Sequence, residues 1–212
     1  NLAKLCKVWG YVKYTHPAFL LGEKDWDEEL LKLIPAVSEA DSDEVNGILH
    51  EWFLSLGEID YGMTTSISTL QEDKLCVQAD VSWIKDIAYL GKDLSEDMQL
   101  LGPIPSIYRA NAPVKFTANL MGTRVTDFSN EALYEALYEN MDFGDQGYRL
   151  LGLFRLWNAM EYYYPYLDIL DNNWHDLLPE YIARMLEGKN QESYELTIAS
   201  LSAKLQDAHV AL

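Results

Sequence analysis

The residues that are the clearest candidates for catalysis lie near the end of the chain, in the run 205–212, LQDAHVAL. This run places His209 two residues after Asp207, just past a predicted helix and between apolar residues that resemble the start of a strand. A histidine changes its charge near neutral pH, so His209 is a candidate catalytic residue, and Asp207 is a candidate orienting or structural residue beside it. The pattern by itself favours a structural histidine over a catalytic one.

Other catalytic and metal-binding patterns are missing from the sequence. It contains no glycine-rich phosphate loop, no His-Glu-x-x-His and no Gly-x-Ser-x-Gly. The four histidines are far apart, without a cysteine or carboxylate at ligand spacing, so neither a metal site nor a cofactor is expected. Acidic residues number 34, but no pair of them stands out for acid–base catalysis.

A second group of candidate residues is aromatic and comprises Tyr162, Tyr163, Tyr164, Tyr166 and Trp174. Aromatic rings combined with carboxylate acceptors suit the binding of a carbohydrate or a peptide. Core packing is the favoured interpretation of the same rings, because large rings bury much apolar area. Rings that share an exposed concave face would support binding, whereas rings buried between helices would argue against it.

These candidates belong to a unit that the chain contains twice. A shift of 148 positions aligns eight identical residues among 36 without a gap. In each copy, apolar residues at three- and four-residue steps predict a helix, and an aromatic run followed by proline ends it. A second helix is predicted to open at the matched tryptophan, and the tryptophans are expected to pack between the two helices. The identical pairs are Leu2/Leu150, Leu5/Leu153, Trp9/Trp157, Tyr14/Tyr162, Pro17/Pro165, Trp26/Trp174, Leu30/Leu178 and Ile34/Ile182.

A third helix is predicted in each copy. In the first copy it is expected to run from Ser42 or Asp43, as N-cap, to Leu56, with Gly57 just beyond its end. In the second copy a comparable apolar stripe covers 193–205. The repeated unit is therefore a helical hairpin plus one further helix.

Between the copies, over residues 62–147, the periodicity weakens, and we interpret this part as an insertion with short strands and helices. A short helix over 94–101 is expected to be capped by Ser95. Extended stretches are expected at 64–70, 74–77 and 114–120. The sequence thus predicts a mainly α fold with two copies of the helical unit and a mixed, partly extended insertion between them. The predicted regions are 1–61, 62–147 and 148–212.

Composition excludes several classes of partner. A formal net charge of −18 and an isoelectric point near 4.4 argue against nucleic acid and anionic membranes, because both would repel this surface. No apolar run is long enough to span a membrane. The helical pattern begins with the first residues, without a signal peptide, as expected of a mature fragment.

Several motifs together resemble the N-terminal region of secreted bacterial serine peptidases of the tail-specific (C-terminal-processing) and tricorn-related family. The similarity covers nearly the whole chain and is weakest at 62–78 and 103–126. In this family a helical N-terminal region precedes a PDZ-like module and an α/β core with the nucleophilic serine. The motifs are VWGYVKYTHP, KDWDEELLKLIP, DVSWI, GYRLLGLFRLWNAMEYYYPY, NWHDLLPEYI and LQDAHVAL.

The resemblance implies a role for His209. In the tricorn-like branch, the histidine of this motif is the general base for a serine supplied later in the chain, whereas a serine–lysine branch leaves it without that role. The sequence ends at Leu212, before any serine-bearing segment, so this chain alone is expected to be inert. The expected function is a non-catalytic helical region that supports the catalytic core of a serine-type endopeptidase. The alternative is a stand-alone helical module that binds a glycan or a peptide.

The resemblance also implies partners and a location. The expected partners are the catalytic and PDZ-like domains of a longer chain and a peptide or protein substrate. Association of the protein with itself, as a homo-oligomer, is an additional expectation. The implied location is extracytoplasmic, either periplasmic or secreted, with surface anchoring in the longer protein as one form of it.

Overall fold

The computed structural model describes residues 1–59, 79–101, 109–118, 124–134 and 141–207. These residues contain nine α-helices and one two-stranded sheet, which confirms the predicted mainly α fold. Short 3-10 helices lie at Ser82–Lys85, Ser129–Tyr134 and Leu167–Ile169. The α-helices are α1 (Leu2–Thr15), α2 (Pro17–Leu20), α3 (Trp26–Glu39), α4 (Val45–Ser55), α5 (Ile87–Leu90), α6 (Lys92–Met98), α7 (Gln146–Tyr163), α8 (Trp174–Glu187) and α9 (Gln191–Ala203).

The ends of the repeated helices follow from local sequence. Helices α1 and α7 end just before His16 and Tyr164. These two residues are extended because each precedes a proline. The next long helix of each copy begins behind a capping side chain. The carboxylate of Asp25 accepts a hydrogen bond from the backbone N–H of Asp27 at 2.9 Å, and Asn173 caps α8 in the same way at 3.0 Å.

Two predicted caps are wrong. Helix α4 begins at Val45, behind Glu44, whose carboxylate instead accepts a hydrogen bond from the backbone N–H of Asp41. Ser95 lies inside α6, where its buried hydroxyl donates to the carbonyl of Ile84 at 2.7 Å and so is not available for capping. The prediction for Gly57 is confirmed: it follows α4 with a φ of 111°, a conformation that glycine adopts without strain.

The extended structure among the described residues is an antiparallel pair. Strand β1 (Lys115–Ala118) lies within the stretch predicted at 114–120, and it pairs with β2 (Arg124–Asp127), which was not predicted from the sequence. The stretches predicted at 64–70 and 74–77 lie outside the described residues.

The two copies and part of the insertion share one hydrophobic core. The α1–α3 hairpin packs on the α7–α8 hairpin, α9 covers α8, and α4 packs on α3 and α6. Ile84, Leu90 and Leu94 of the insertion are buried in the same core as the tryptophans of both copies. Among the described helices, none combines the length and apolar character that crossing a membrane requires.

Matched contacts relate the two copies. The indole N–H of Trp9 donates to the carbonyl of Trp26 at 2.8 Å, and that of Trp157 donates to the carbonyl of Trp174 at 3.3 Å. Residues 148 positions apart also meet each other. The rings of Tyr14 and Tyr162 lie 5.5 Å apart, and a Cβ added to Gly10 would stand 1.8 Å from Oδ1 of Asn158. Because equivalent residues meet at a twofold axis, we infer that an approximate twofold axis relates the copies.

Candidate functional site

A pocket of about 460 Å³ opens where α7 ends and α8 begins. Glu161 and Trp174 are the buried residues of its lining, and the other lining residues are half-buried or exposed. Glu161 and Trp174 therefore form the inner end of the pocket. The volume lies within the range of sites that bind small molecules or single side chains.

The inner end holds a carboxyl group and an imidazole. Oε1 of Glu161 lies 3.4 Å from Nε2 of His175, and the Glu161 side chain is only 4% exposed. Within the described residues, Oε2 of Glu161 and Nδ1 of His175 are buried without a hydrogen-bond partner. A buried polar atom without a partner costs free energy, so this pair is an incomplete polar site rather than a satisfied structural contact.

The surroundings shift the proton affinities of both groups. Burial raises the pKa of Glu161 to about 7, with a smaller opposing effect from Lys7 and a further increase from Asp80. Burial also lowers the pKa of His175, and Lys7 adds to that decrease. Near neutral pH, Glu161 therefore exchanges a proton readily while His175 is neutral.

The mouth of the pocket is acidic and aromatic. Asp80, Asp168 and Asp171 lie in its lining, together with Tyr163 and Tyr164. The described lining contains no serine, threonine or cysteine. The groups that this lining offers are carboxylates, phenol hydroxyls and one imidazole, which suit the binding of a polar ligand and proton exchange.

The predicted aromatic residues divide between the core and the pocket. Trp174 is 2% exposed and its ring stacks on Trp157 with centroids 6.4 Å apart. Tyr162 and Tyr163 are half-buried, and both make edge contacts with Tyr14. The core interpretation therefore holds for Trp174 and in part for these two tyrosines.

Tyr166 and Tyr164 differ from these rings. Tyr166 is 54% exposed, and its ring lies edge-on to that of Tyr164 at 5.6 Å. The hydroxyl of Tyr164 donates to Oδ2 of Asp207 at 3.3 Å, so the structure brings together two separately predicted site residues. His209 lies outside the described residues, and its role stays a prediction.

The first copy has a polar cluster at the equivalent positions, and this cluster is sealed in the sense that its charged groups pair with one another. The ammonium of Lys13 is fully buried, 2.6 Å from the carboxylate of Glu131, and lies over the rings of Trp9, Tyr14 and Trp26. Arg155 reaches the same carboxylate at 3.3 Å and the buried carboxylate of Asp27 at 3.5 Å. Two cations and two carboxylates thus balance each other.

The shift of 148 positions relates the two clusters residue by residue. It places Glu161 on Lys13, His175 on Asp27, and Arg155 on Lys7. Glu161 was not among the site residues predicted from the sequence, which singled out no pair of carboxylates for acid–base chemistry. The alignment of the two copies already contained a signal for Glu161, because it matches this acid with Lys13 and matches His175 with Asp27.

A further histidine–carboxylate pair joins α4 to α6. Nε2 of His50 lies 2.8 Å from Oδ2 of Asp97, and both side chains are partly exposed. Within the described part of the chain, no three His, Cys, Asp or Glu residues are grouped as a metal site requires. Comparisons of the chain with protein-family models, curated proteins and solved structures found no match.

Proposed function

We propose that this chain is the non-catalytic helical N-terminal region of a secreted serine-type endopeptidase and that it supports a catalytic core following it. The observation that carries the proposal is the hydrogen bond between Tyr164 and Asp207. It joins the YYYPY motif to the Asp-x-His motif, the two elements on which the family resemblance most depends. In this proposal the ends of α7 and α9 hold Asp207 in place, and Asp207 in turn positions His209, the last residue of the Asp-x-His motif.

The surface around this hydrogen bond supports a docking role. A groove beside Asp207 is lined by Tyr166, Ile169 and Leu205, and Ile169 is 72% exposed. Ile169 stands beside a groove with further apolar lining, so it offers a surface that another domain could cover, unlike a single exposed apolar residue elsewhere. A catalytic core that follows Asp207 would emerge beside this groove and cover it.

The experiment has two arms. The 212-residue chain is incubated with an unfolded protein substrate and with a fluorophosphonate that labels activated serines, and neither hydrolysis nor labelling is expected. The parent gene product is then assayed in the same way, with Ile169→Asp as the variant of the groove and Leu196→Asp as its control. Leu196 is also an exposed apolar residue, at 64%, but lies on α9 and outside the lining of the groove.

We expect Ile169→Asp to reduce peptidase activity of the parent protein at least tenfold while Leu196→Asp leaves it unchanged. Hydrolysis by the 212-residue chain alone would overturn the proposal. A parent reading frame without a serine-bearing core would overturn it as well. His209→Ala in the parent protein then separates the branches: loss of labelling assigns the base to His209, and retained labelling assigns activation to a lysine.

A second candidate function is supported by a separate observation. The pocket at Glu161 contains a buried carboxyl group without a full set of partners among the described residues, and tyrosines stand around it. This arrangement suits a module that binds a peptide, whether or not a catalytic core follows. The role of Tyr164, Tyr166 and Trp174 in glycan binding has less support, since Trp174 offers no open ring face.

A further inference from the structure

We infer that the pocket around Glu161 binds a positively charged organic group, an ammonium or guanidinium of the kind that ends a lysine or arginine side chain. The inference deepens the second candidate function, peptide binding, and does not depend on a downstream catalytic core. It names Glu161 as the residue that recognises the ligand.

The charge of the pocket selects the sign of the ligand. Four carboxyl groups stand in its lining, and its basic member, His175, has a pKa lowered by burial. The chain as a whole carries a formal charge of −18, which draws cations toward an acidic cleft and repels anions. The four carboxyl groups are those of Asp80, Glu161, Asp168 and Asp171.

The buried carboxyl group at the inner end of the pocket lacks a counterion among the described residues. The side chain of Glu161 is only 4% exposed, and its Oε2 has no hydrogen-bond partner in that part of the chain. Its contact with His175 is long, at 3.4 Å, and His175 is neutral near pH 7. Lys7 acts on Glu161 through its charge, but it makes no ion pair within the described residues. A cationic ligand would supply the missing counterion.

The first copy of the unit shows that this scaffold accommodates an ammonium group. There the ammonium of Lys13 is fully buried among the rings of Trp9, Tyr14 and Trp26 and is held by Glu131. In the second copy the lysine position is occupied by Glu161, so the described residues there provide the acid and the rings but no buried cation. In the second copy the carboxyl group, rather than the ring faces, would hold the ammonium, because the rings of Trp157 and Trp174 stack on each other.

The rings of the pocket argue against a neutral sugar. Sugar binding needs an open ring face, but Trp174 stacks on Trp157 and Tyr162 meets Tyr14 edge-on. Tyr163 is engaged in the same way by Phe128, with centroids 5.3 Å apart. The faces of Trp174 are thus closed to a sugar, which leaves the carboxyl groups as the main recognition elements of the pocket.

The test uses the 212-residue chain and isothermal titration calorimetry with capped tripeptides of the form Ala-X-Ala. X is lysine, arginine, norleucine or glutamate, and N-acetyl-lysine amide and a neutral disaccharide are titrated in parallel. We expect the lysine and arginine peptides to bind and the norleucine and glutamate peptides not to bind. The amide of Nα-acetyl-lysine, which keeps the side-chain ammonium, separates the two sources of the cation. Binding equal to that of the lysine peptide indicates that the ligand is a small amine, and weaker binding indicates that the ligand is a peptide.

The variant is Glu161→Gln, which keeps the shape of the side chain and removes its charge. We expect it to weaken binding of the lysine peptide at least tenfold. Glu187→Gln is the matched control, because it removes the same charge from an exposed position at the far end of α8, and it should leave binding unchanged.

A second measurement keeps the test decisive if the variant fails to fold. A bound ammonium favours the ionised form of Glu161, so binding to the unmodified chain near pH 7 should release a proton. The heat of binding should then depend on the ionisation enthalpy of the buffer, and the affinity should fall as the pH decreases below 7. The charged groups acting on Glu161 are Lys7 from α1, Asp80 from the insertion and His175 from α8, and the pH profile reports their combined effect.

Four results would overturn the inference, and three of them concern the peptides and the variant. They are equal binding of the lysine and norleucine peptides, unchanged binding by folded Glu161→Gln, and no binding of either basic peptide at millimolar concentration. Binding of the neutral disaccharide alone would also overturn it, although it would leave a binding module as the second candidate function.

Discussion

The two polar clusters occupy equivalent places in the two copies, 148 residues apart, but they differ in charge balance and in access to solvent. The cluster at Lys13 contains two cations and two carboxylates that are joined by ion pairs, and its ammonium is fully buried. Among the described residues, the cluster at Glu161 has a single long contact to His175 and opens into a pocket. The same helical scaffold therefore produces a structural ion-pair network in one copy and an incomplete site in the other.

The insertion accounts for much of this difference. Glu131, which follows β2, reaches into the first cluster and pairs with both Lys13 and Arg155. In the second cluster, the described residue of the insertion that acts on Glu161 is Asp80, which adds negative charge. Duplicated helices can thus differ in charge balance when the segments packed on them differ.

The largest expected effect concerns the sealed cluster. Lys13→Met removes its buried ammonium and leaves Glu131 and Asp27 with Arg155 as their cation. We expect the free energy of unfolding to fall by about 3–5 kcal/mol, because breaking a buried ion pair leaves uncompensated charge. Urea denaturation measures the loss. Lys32→Met is the control: Lys32 pairs with Glu28 at the surface, where solvent screens the pair, so its loss should leave the denaturation midpoint nearly unchanged. Equal losses for the two variants would contradict a sealed network.

At the open cluster around Glu161, a substitution that removes the charge should raise the free energy of unfolding instead of lowering it. The pKa of Glu161 is raised from 4.5 to about 7, so its contribution to stability is full below pH 4.5 and is lost as the pH rises through 7. Glu161→Gln removes this dependence. Relative to the unmodified chain, the variant should gain about 3 kcal/mol between about pH 4.5 and about pH 8.5, since one pKa unit corresponds to about 1.4 kcal/mol. Denaturation curves at both pH values measure the gain, and parallel pH profiles for the two proteins would show that Glu161 is not perturbed.

The third prediction tests the approximate twofold axis on which the comparison depends. Gly10→Asn places a side chain against Asn158 and should destabilise the fold by about 1–3 kcal/mol through overpacking. The exchange Gly10→Asn with Asn158→Gly should recover at least half of that loss. Asn158 donates to the carbonyls of Cys6 and Phe154, which are themselves equivalent positions. The asparagine introduced at position 10 of the double variant would therefore meet the same two acceptors.

Thermal and urea denaturation of the single and double variants measure this recovery. Gly47→Ala is the control in α4, where an added Cβ meets nothing within 4 Å among the described residues, and it should be neutral or slightly stabilising. Additive losses in the double variant would contradict a twofold relation at this contact.

The smallest effect is expected where the second copy meets the Asp-x-His motif. Tyr164→Phe removes the hydroxyl that donates to Asp207 over 3.3 Å and should cost about 0.5–1.5 kcal/mol at most. Tyr166→Phe is the matched control, because the ring of Tyr166 is exposed and its hydroxyl makes no hydrogen bond to the described residues. Hydrogen exchange at the backbone of Gln206 and Asp207 should increase for Tyr164→Phe alone, and equal exchange in both variants would show that this bond does not hold the motif.

Local sequence predicted the helices of the repeat well. Apolar spacing and the residues before Pro17 and Pro165 defined where α1 and α7 lie and end, because these effects act within a few residues. Caps were less predictable. Ser95 is of a residue type that often caps helices, but the carbonyl of Ile84 lies close to it in the folded chain and accepts its hydroxyl instead.

The candidate site was only partly predictable. The aromatic residues around the pocket were recognised from their composition, and Asp207 from its motif. Glu161 was not recognised, because its importance comes from burial and from the loss of a counterion rather than from any local pattern. The alignment of the copies held a clue, namely an acid where the first copy has a lysine, but it could not show that the position is buried beside a pocket.

The sequence by itself determined that this protein is built from a duplicated helical unit with paired tryptophans and a strongly acidic composition. Helix periodicity, proline positions and net charge are properties of the chain that need no knowledge of distant contacts. Only the tertiary structure decided which charges are neutralised. The energy of a charge depends on its burial and on neighbours that the fold brings from elsewhere, as it brings Glu131 to Lys13 across 118 residues. To Glu161 the described part of the fold brings a long contact with a neutral imidazole and an opening to solvent, so its charge is left to respond to pH.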